Sequence, residues 1–268
     1  MNKKPTIGIL GLGNMGRALA ETLSAKTHWR IAAFDEISAK LKKTKNLTVT
    51  KNCRELITKS DILIIAIKPQ DISEFITTNR TELLKKKPLI ISIAAGVPIK
   101  FFESQLGNIR VIRTMPNLAA KINESMTFIT KGKFAKADDV KIAEALFKTC
   151  GKTAAVKESL LNKVTAISGS GPGYVYYLMD CLYKAAGELG FKKAAAYAMV
   201  LQTFLGAVKL AKLSGKDFKT IEAEVTSKKG ITEAALKVFK KSQVDKIILE
   251  GVQKGVKRAE ELSLKNSA

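Results

Sequence analysis

The sequence predicts an α/β chain in two parts, a doubly wound parallel sheet over residues 1-159 and an all-helical domain over residues 160-268. Three observations carry this. Short, continuous apolar runs alternate with helical segments through roughly the first hundred residues; such runs stop after Ser159; and an i, i+3, i+4, i+7 apolar stripe opens the second part.

Taken in order, Thr6–Leu10 is a short β-rich run, Gly11–Gly16 a glycine turn, Arg17–Ser24 a helix, and Arg30–Phe34 a second strand that ends on Asp35. Ser60-Asp61 introduces a strand at Ile62–Ile67 and Pro88 another at Leu89–Ile93, both apolar throughout, as strands covered on two faces are. Further strands are expected at Val111–Met115, Met126–Thr130 and Thr153–Val156, with a helix over Asp138–Thr149. Beyond Ser159, Tyr174, Tyr177, Leu178, Cys181, Leu182, Ala185 and Leu189 recur at helical spacing, and Gly190 is placed to cap that helix. Helices follow over Ala194–Leu213, Phe218–Glu224, Thr232–Lys240 and Val244–Leu262. The apolar content of these C-terminal helices argues against a monomer and for a homo-oligomer.

Composition removes several classes. His28 is the only histidine in 268 residues, and its His-Trp-Arg setting reads as a surface loop. Ser-His-Asp and Cys-His hydrolases, histidine metal centres and histidine general bases are therefore excluded, and no metal is expected. Cys53, Cys150 and Cys181 are odd in number and lack C-x-x-C spacing, which fits a reducing cytoplasm. No secretory leader is read at the N-terminus, and no apolar stretch is expected to approach the ~18–20 residues of a membrane span. The net charge of +22 comes mainly from lysines spread along the whole chain, with scattered arginines. Nucleic-acid readers concentrate Arg and aromatic residues on one element, so neither nucleic acid nor membrane is expected as a partner.

Gly11-Leu12-Gly13-Asn14-Met15-Gly16 matches G-x-G-x-x-G between a strand and a helix, and Asp35 ends the next strand 24 residues after Gly11. In that context the pattern is a dinucleotide fingerprint, so the sheet is expected to be of the Rossmann type. Gly11 permits the tight turn, Gly13 admits the pyrophosphate, Gly16 packs helix on strand, and the helix N-terminus offers N–H donors to the anion. Asp35 would accept from the ribose hydroxyls and repel a 2′-phosphate, while Lys40, Lys42 and Lys43 oppose that preference; NADPH and NADH both stay open. Ala66-Ile67-Lys68-Pro69 ends a strand at the sheet edge where ligands bind, with Lys68 either facing the cofactor or solvated.

Two loops in the second part carry more than caps require. Ser168-Gly169-Ser170-Gly171-Pro172-Gly173 holds three glycines before a long helix, as a close ligand approach would need. In Val225-Thr226-Ser227-Lys228-Lys229-Gly230-Ile231-Thr232, Thr232 reads either as an ordinary N-cap or as part of a carboxylate-binding cluster.

Together with Arg113-Thr114-Met115-Pro116-Asn117, these motifs resemble pyrroline-5-carboxylate reductase, in order from about residue 6 to residue 262. The resemblance implies a Rossmann domain, a helical dimerisation domain, and reduction of 1-pyrroline-5-carboxylate to L-proline with NAD(P)H. It implies that Ser227, Gly230, Ile231 and Thr232 hold the substrate, that Ser170 and Gly171 join them, and that Asn117 joins the cofactor residues. Thr232 would meet the ring nitrogen as the catalytic group. A cyclic imine needs only hydride, orientation and a proton at nitrogen, which agrees with the missing histidine. The chain departs from the family at Lys228-Lys229, where Pro-Gly is usual, at Leu118-Ala119 for Thr-Pro, at Asn123 near a common Gly, and at Gly173 for Ala. The departure at Lys228-Lys229 predicts a more mobile or reshaped substrate loop. A β-hydroxyacid dehydrogenase shares the Gly-Leu-Gly-x-Met-Gly opening but would need a catalytic lysine on the interdomain helix, and Lys184 is the one placed there. A non-catalytic nicotinamide-binding regulator would leave Thr232 idle.

Overall fold

Apolar β-branched runs with no polar interruption seek a place covered on both faces, and two of them, at 62–65 and 89–91, form the middle of the sheet. The computed structural model describes residues 5–36 and 46–265. Its N-terminal part runs β1 (Thr6–Leu10), α1 (Asn14–Lys26), β2 (Arg30–Phe34), β3 (Leu47–Val49), α2 (Cys53–Lys59), β4 (Ile62–Ile65), α3 (Ile72–Thr78), α4 (Arg80–Lys86), β5 (Leu89–Ser92), α5 (Ile99–Leu106), β6 (Val111–Met115), β7 (Ser125–Lys131), α6 (Ala137–Lys148), β8 (Gly151–Ala155) and α7 (Glu158–Val164). The strand order is β3-β2-β1-β4-β5-β6-β7-β8, and every residue of β4, β5 and β6 is buried.

Alternate residues of these strands feed two cores, as the period of two demands. Ile7, Ile9, Ile62, Ile64 and Ile91 face α1 and α6 through Leu19, Leu23, Leu146 and Phe147. Leu63, Ile65, Ile90 and Val111 face the other way, onto Leu56, Ile57, Phe75, Leu83 and Phe102 of α2 to α5. Each such side chain contributes about 1.5–3 kcal/mol by leaving water.

The doubly wound sheet is parallel as expected except at one pair. β6 and β7 pair antiparallel, with Thr114 opposite Ile129, and β8 then runs parallel to β7. Only residues 116–124 join β6 to β7, and a parallel crossover takes about a dozen residues or more. The strands β1, β2 and β6 have the bounds expected, whereas the three-residue β3 was not foreseen.

The chain divides into two compact units, Met1–Pro172 with Lys254–Ala268, and Gly173–Gln253. The first extends past residue 160 because α7 is fastened to the sheet: Arg113, buried in β6, bonds Glu158 at 3.2 Å and Asn162 at 3.1 Å. The C-terminal residues rejoin the same unit, where Asn162 donates to Ser263 at 3.1 Å.

The second unit is helical, comprising most of α8 (Gly171–Glu188), α9 (Lys193–Ser214), α10 (Phe218–Glu224), α11 (Ile231–Lys241) and the first half of α12 (Val244–Lys265). Gly190 ends α8 in the left-handed region at φ 86°, its amide bonded to Gly187, as a C-cap glycine does. Among the described residues of this unit only Ala196 is buried, while Tyr177, Leu213 and Phe218 stay exposed. One expectation is overturned here: α9, at 22 residues, is by length and composition apolar enough to cross a membrane. Reading only for unbroken apolar runs overlooked it, because Ala, Gly, Thr and Gln interrupt the run without making the helix polar.

Candidate functional site

The glycine turn joins β1 to α1 at the carboxyl edge of the sheet. Gly11 has φ 90°, and its amide donates to Phe34 at 2.8 Å, so the chain turns away from β1 at once. A Cβ at Gly16 would sit 1.9 Å from the Gly11 carbonyl oxygen, which is why the helix can lie this close to the strand end. Gly13, the N-cap of α1, has nothing within 4 Å of where its Cβ would be. Among the described residues no side chain caps this helix, and its first turn holds no acid, so its leading N–H groups are left without a side-chain acceptor. That cradle fits a dinucleotide pyrophosphate in shape and polarity.

The neighbours frame the same cradle. The Leu12 amide donates to the Asp35 carboxylate, which fixes Asp35 at the foot of the turn. Ala66 donates to Leu10 at 2.8 Å, and its carbonyl lies against Gly11. Pro69 opens a single 3-10 turn after Lys68, which is exposed. Lys40, Lys42 and Lys43 lie outside the described residues. Lys121 was not foreseen: it reaches Asn14 Oδ1 at 3.4 Å, placing a cation beside the turn from 107 residues away. No local pattern signals it.

Arg113-Thr114-Met115-Pro116-Asn117 serves structure first. Burial pulls the Arg113 guanidinium below its usual value while Glu158 opposes the shift, and its Nε has no partner among the described residues. Asn117 follows β6, and its side-chain amide reaches the Ser168 carbonyl at 3.1 Å, so it touches the glycine-rich loop that holds Ser170 and Gly171. Ser170 is exposed, and a Cβ at Gly171 would meet nothing within 4 Å.

In the helical unit, Ser227, Gly230, Ile231 and Thr232 gather at the start of α11. Gly230 is the N-cap, with its amide bonded to Ser227 at 2.9 Å and the Ser227 hydroxyl packed over its Cα. The N-cap reading of Thr232 therefore falls. Thr232 is the second residue of the helix, exposed, and no described group bonds its hydroxyl. The N3 acid is Glu233, which accepts from Lys229 at 2.7 Å and is held below its usual pKa by that amide and by Lys237. Lys229 itself has φ 61° and Asn123 φ 64°, left-handed conformations that glycine adopts without strain. At Lys229 this costs of the order of 1 kcal/mol.

The remaining reactive groups are quiet. Lys184 pairs with Asp180 at 2.6 Å on an exposed face, and that hydrogen bond raises its pKa, away from what a proton-transferring lysine needs near neutral pH. Among the described residues no cluster of His, Cys, Asp or Glu is placed to hold a metal. Burial, with Glu36 adding, pushes the Cys53 thiol up to about 11. Its protonated form is favoured in the fold, so the stability this contributes is complete below the unfolded value and declines between about pH 9 and 11. Urea midpoints across that window should fall more for the wild type than for Cys53→Ala; parallel declines would remove Cys53 as the cause.

A Rossmann sheet, an uncapped glycine turn open at Gly13 and a carboxylate ending β2 define a dinucleotide-dependent oxidoreductase. Residues 6–96 match the family described as NADP oxidoreductase, coenzyme F420-dependent, and residues 158–262 match pyrroline-5-carboxylate reductase dimerisation. The chain belongs to the pyrroline-5-carboxylate reductase family. Pyrroline-5-carboxylate reductase 2 of Bacillus subtilis is 35% identical over 96% of this chain and 94% of its own length. The pyrroline-5-carboxylate reductase of Methanosarcina acetivorans is 34% identical over 97% of this chain and 98% of its own. The crystal structure of the Plasmodium falciparum pyrroline carboxylate reductase with NADP bound superposes with a TM-score of 0.87 at 25% identity, covering 97% of this chain and 98% of that one.

Proposed function

We propose that this chain reduces 1-pyrroline-5-carboxylate to L-proline with NADPH or NADH, the last step of proline biosynthesis. The observation that carries the reading is the start of α11, where uncapped N–H groups and the unengaged Thr232 hydroxyl stand side by side. Such a pair suits a carboxylate beside an imine nitrogen. The family relatives support it along nearly the whole chain.

The residue roles follow from this chemistry. When bound, the reduced nicotinamide supplies the hydride that the imine carbon accepts. Gly11, Leu12, Gly13, Asn14, Met15 and Gly16 hold the pyrophosphate, Asp35 the adenosine ribose, and Ala66, Ile67, Lys68, Pro69 and Asn117 complete the cofactor side. Ser227, Gly230 and Ile231 take the substrate carboxylate, and Ser170 and Gly171 are substrate-binding residues as well. Thr232 keeps a hydrogen bond on the ring nitrogen as that atom gains its proton.

We assign residues 1-159 to cofactor binding and 160-268 to substrate binding and dimerisation. The apolar faces of the helical unit suit a homodimer or a higher oligomer of dimers, and α9 then packs against protein rather than lipid. The dispersed lysines suit a soluble cytoplasmic enzyme with neither nucleic acid nor membrane as partner.

The test is loss of reduced-nicotinamide absorbance with 1-pyrroline-5-carboxylate, with proline identified as the product. Turnover is expected with at least one of NADPH and NADH. Cofactor binding without turnover would overturn the substrate.

A further inference from the structure

We propose that Asn117 is a positioning residue for the substrate loop, supplying to the Ser168 carbonyl the hydrogen bond that Pro172 withholds. The inference rests on the reading of Ser170 and Gly171 as substrate-binding.

Between α7 and α8 the chain forms a wide π turn over Thr165–Gly169, closed by the Ser170 amide on the Thr165 carbonyl at 2.9 Å. An α-helix through this region would pair the Ser168 carbonyl with the amide of residue 172. That residue is proline, which has no N–H and whose ring clashes with the carbonyl four residues earlier. Widening the turn relieves the clash, and π turns of this kind recur at functional sites. Asn117 Nδ2 then serves the Ser168 carbonyl at 3.1 Å, from the end of β6.

The Asn117 side chain is itself held in place. Its Oδ1 accepts from the Ala119 amide at 3.2 Å, which fixes which end of the side-chain amide is the donor. Its backbone N–H donates to the Ser125 hydroxyl at 3.0 Å, and Ser125, 2% exposed, lies 3.3 Å from the Thr127 hydroxyl. Because a peptide unit is planar, fixing the Ser168 carbonyl also fixes the opposed Gly169 N–H and the entry into Ser170 and Gly171. Asn117 thus aims the loop backbone without needing to touch the substrate.

The experiment is steady-state kinetics on full-length protein with 1-pyrroline-5-carboxylate and NADPH, alongside cofactor binding by fluorescence. Asn117→Ala is expected to raise KM for the imine about tenfold, with kcat changed less and cofactor affinity weakened by a smaller factor than KM for the imine rises. Asn117→Asp keeps the acceptor on Ala119 and loses the donor, so it should match the alanine variant and also covers poor folding of that variant. Adding Pro172→Ala to Asn117→Ala returns an amide donor to the Ser168 carbonyl and should recover part of the KM. An active wild type with unchanged KM in both Asn117 variants overturns this inference alone, as does a loss confined to cofactor affinity. A wild type inactive on the imine overturns the function reading and this inference with it.

Discussion

Thr232→Ala is expected to lower kcat for 1-pyrroline-5-carboxylate by about 10²-fold, at the low end for a positioned proton-handling group. The reason is local. Gly230, not Thr232, caps α11, and the hydroxyl is spent on no protein partner among those described, so removing it leaves the helix start intact. Thermal stability and cofactor affinity should therefore stay at wild-type levels while turnover falls. Thr232→Ser keeps the hydroxyl and should restore most of the rate. Equal kcat in the wild type and the alanine variant, measured by nicotinamide oxidation under saturating substrate, would remove Thr232 from the chemistry.

Substitutions at two glycines of the turn should fail in opposite ways. Gly16→Ala would put a methyl group 1.9 Å from the Gly11 carbonyl oxygen, in a place where only backbone could yield. An overpacking cost of about 1–3 kcal/mol corresponds to a fall of roughly 2–12 °C in Tm for a chain this size. Gly13→Ala meets nothing within 4 Å, so the protein without cofactor should keep its Tm to within a degree or two. The methyl group would instead stand where the pyrophosphate approaches, weakening NADPH binding by about tenfold. Calorimetry and cofactor titration on both variants separate the outcomes. A Gly13→Ala protein binding NADPH normally would mean that the pyrophosphate does not rest on this turn.

What the sequence made legible follows from how local each determinant is. β1, β2, β6 and α10 have the residue bounds that periodicity and composition predict, because their patterns are complete within a few residues. The antiparallel β7 depends on a connection too short to cross over, and a pattern of apolar residues carries no direction. α7 belongs with the sheet because buried Arg113 holds Glu158, a contact across 45 residues of chain.

The site divides the same way. The glycine turn was readable because Gly11 and Gly16 answer local backbone needs, a left-handed turn and a close helix–strand approach, and Asp35 closes the same strand–turn–helix unit. Lys121 beside Asn14 and Asn117 beneath Ser168 were not readable, being joined across 107 and 51 residues. One signal did exist for the second: a proline four residues after Ser168 orphans a carbonyl and asks for a donor from elsewhere. The departures from family glycines at Asn123 and Lys229 drew attention to two positions whose backbones prove to be left-handed.

The helical unit buries a single described residue, Ala196, and leaves Tyr177, Leu213 and Phe218 in the open. Alone it gains too little from burial to offset the entropy of ordering its chain. Its order must then be drawn from association, which makes the persistence of the backbone arrangement from Ser227 to Thr232 a matter of mass action. Dilution would loosen the start of α11 before it disturbed the sheet, and the cell's concentration of this polypeptide becomes one of the variables that set its catalytic output.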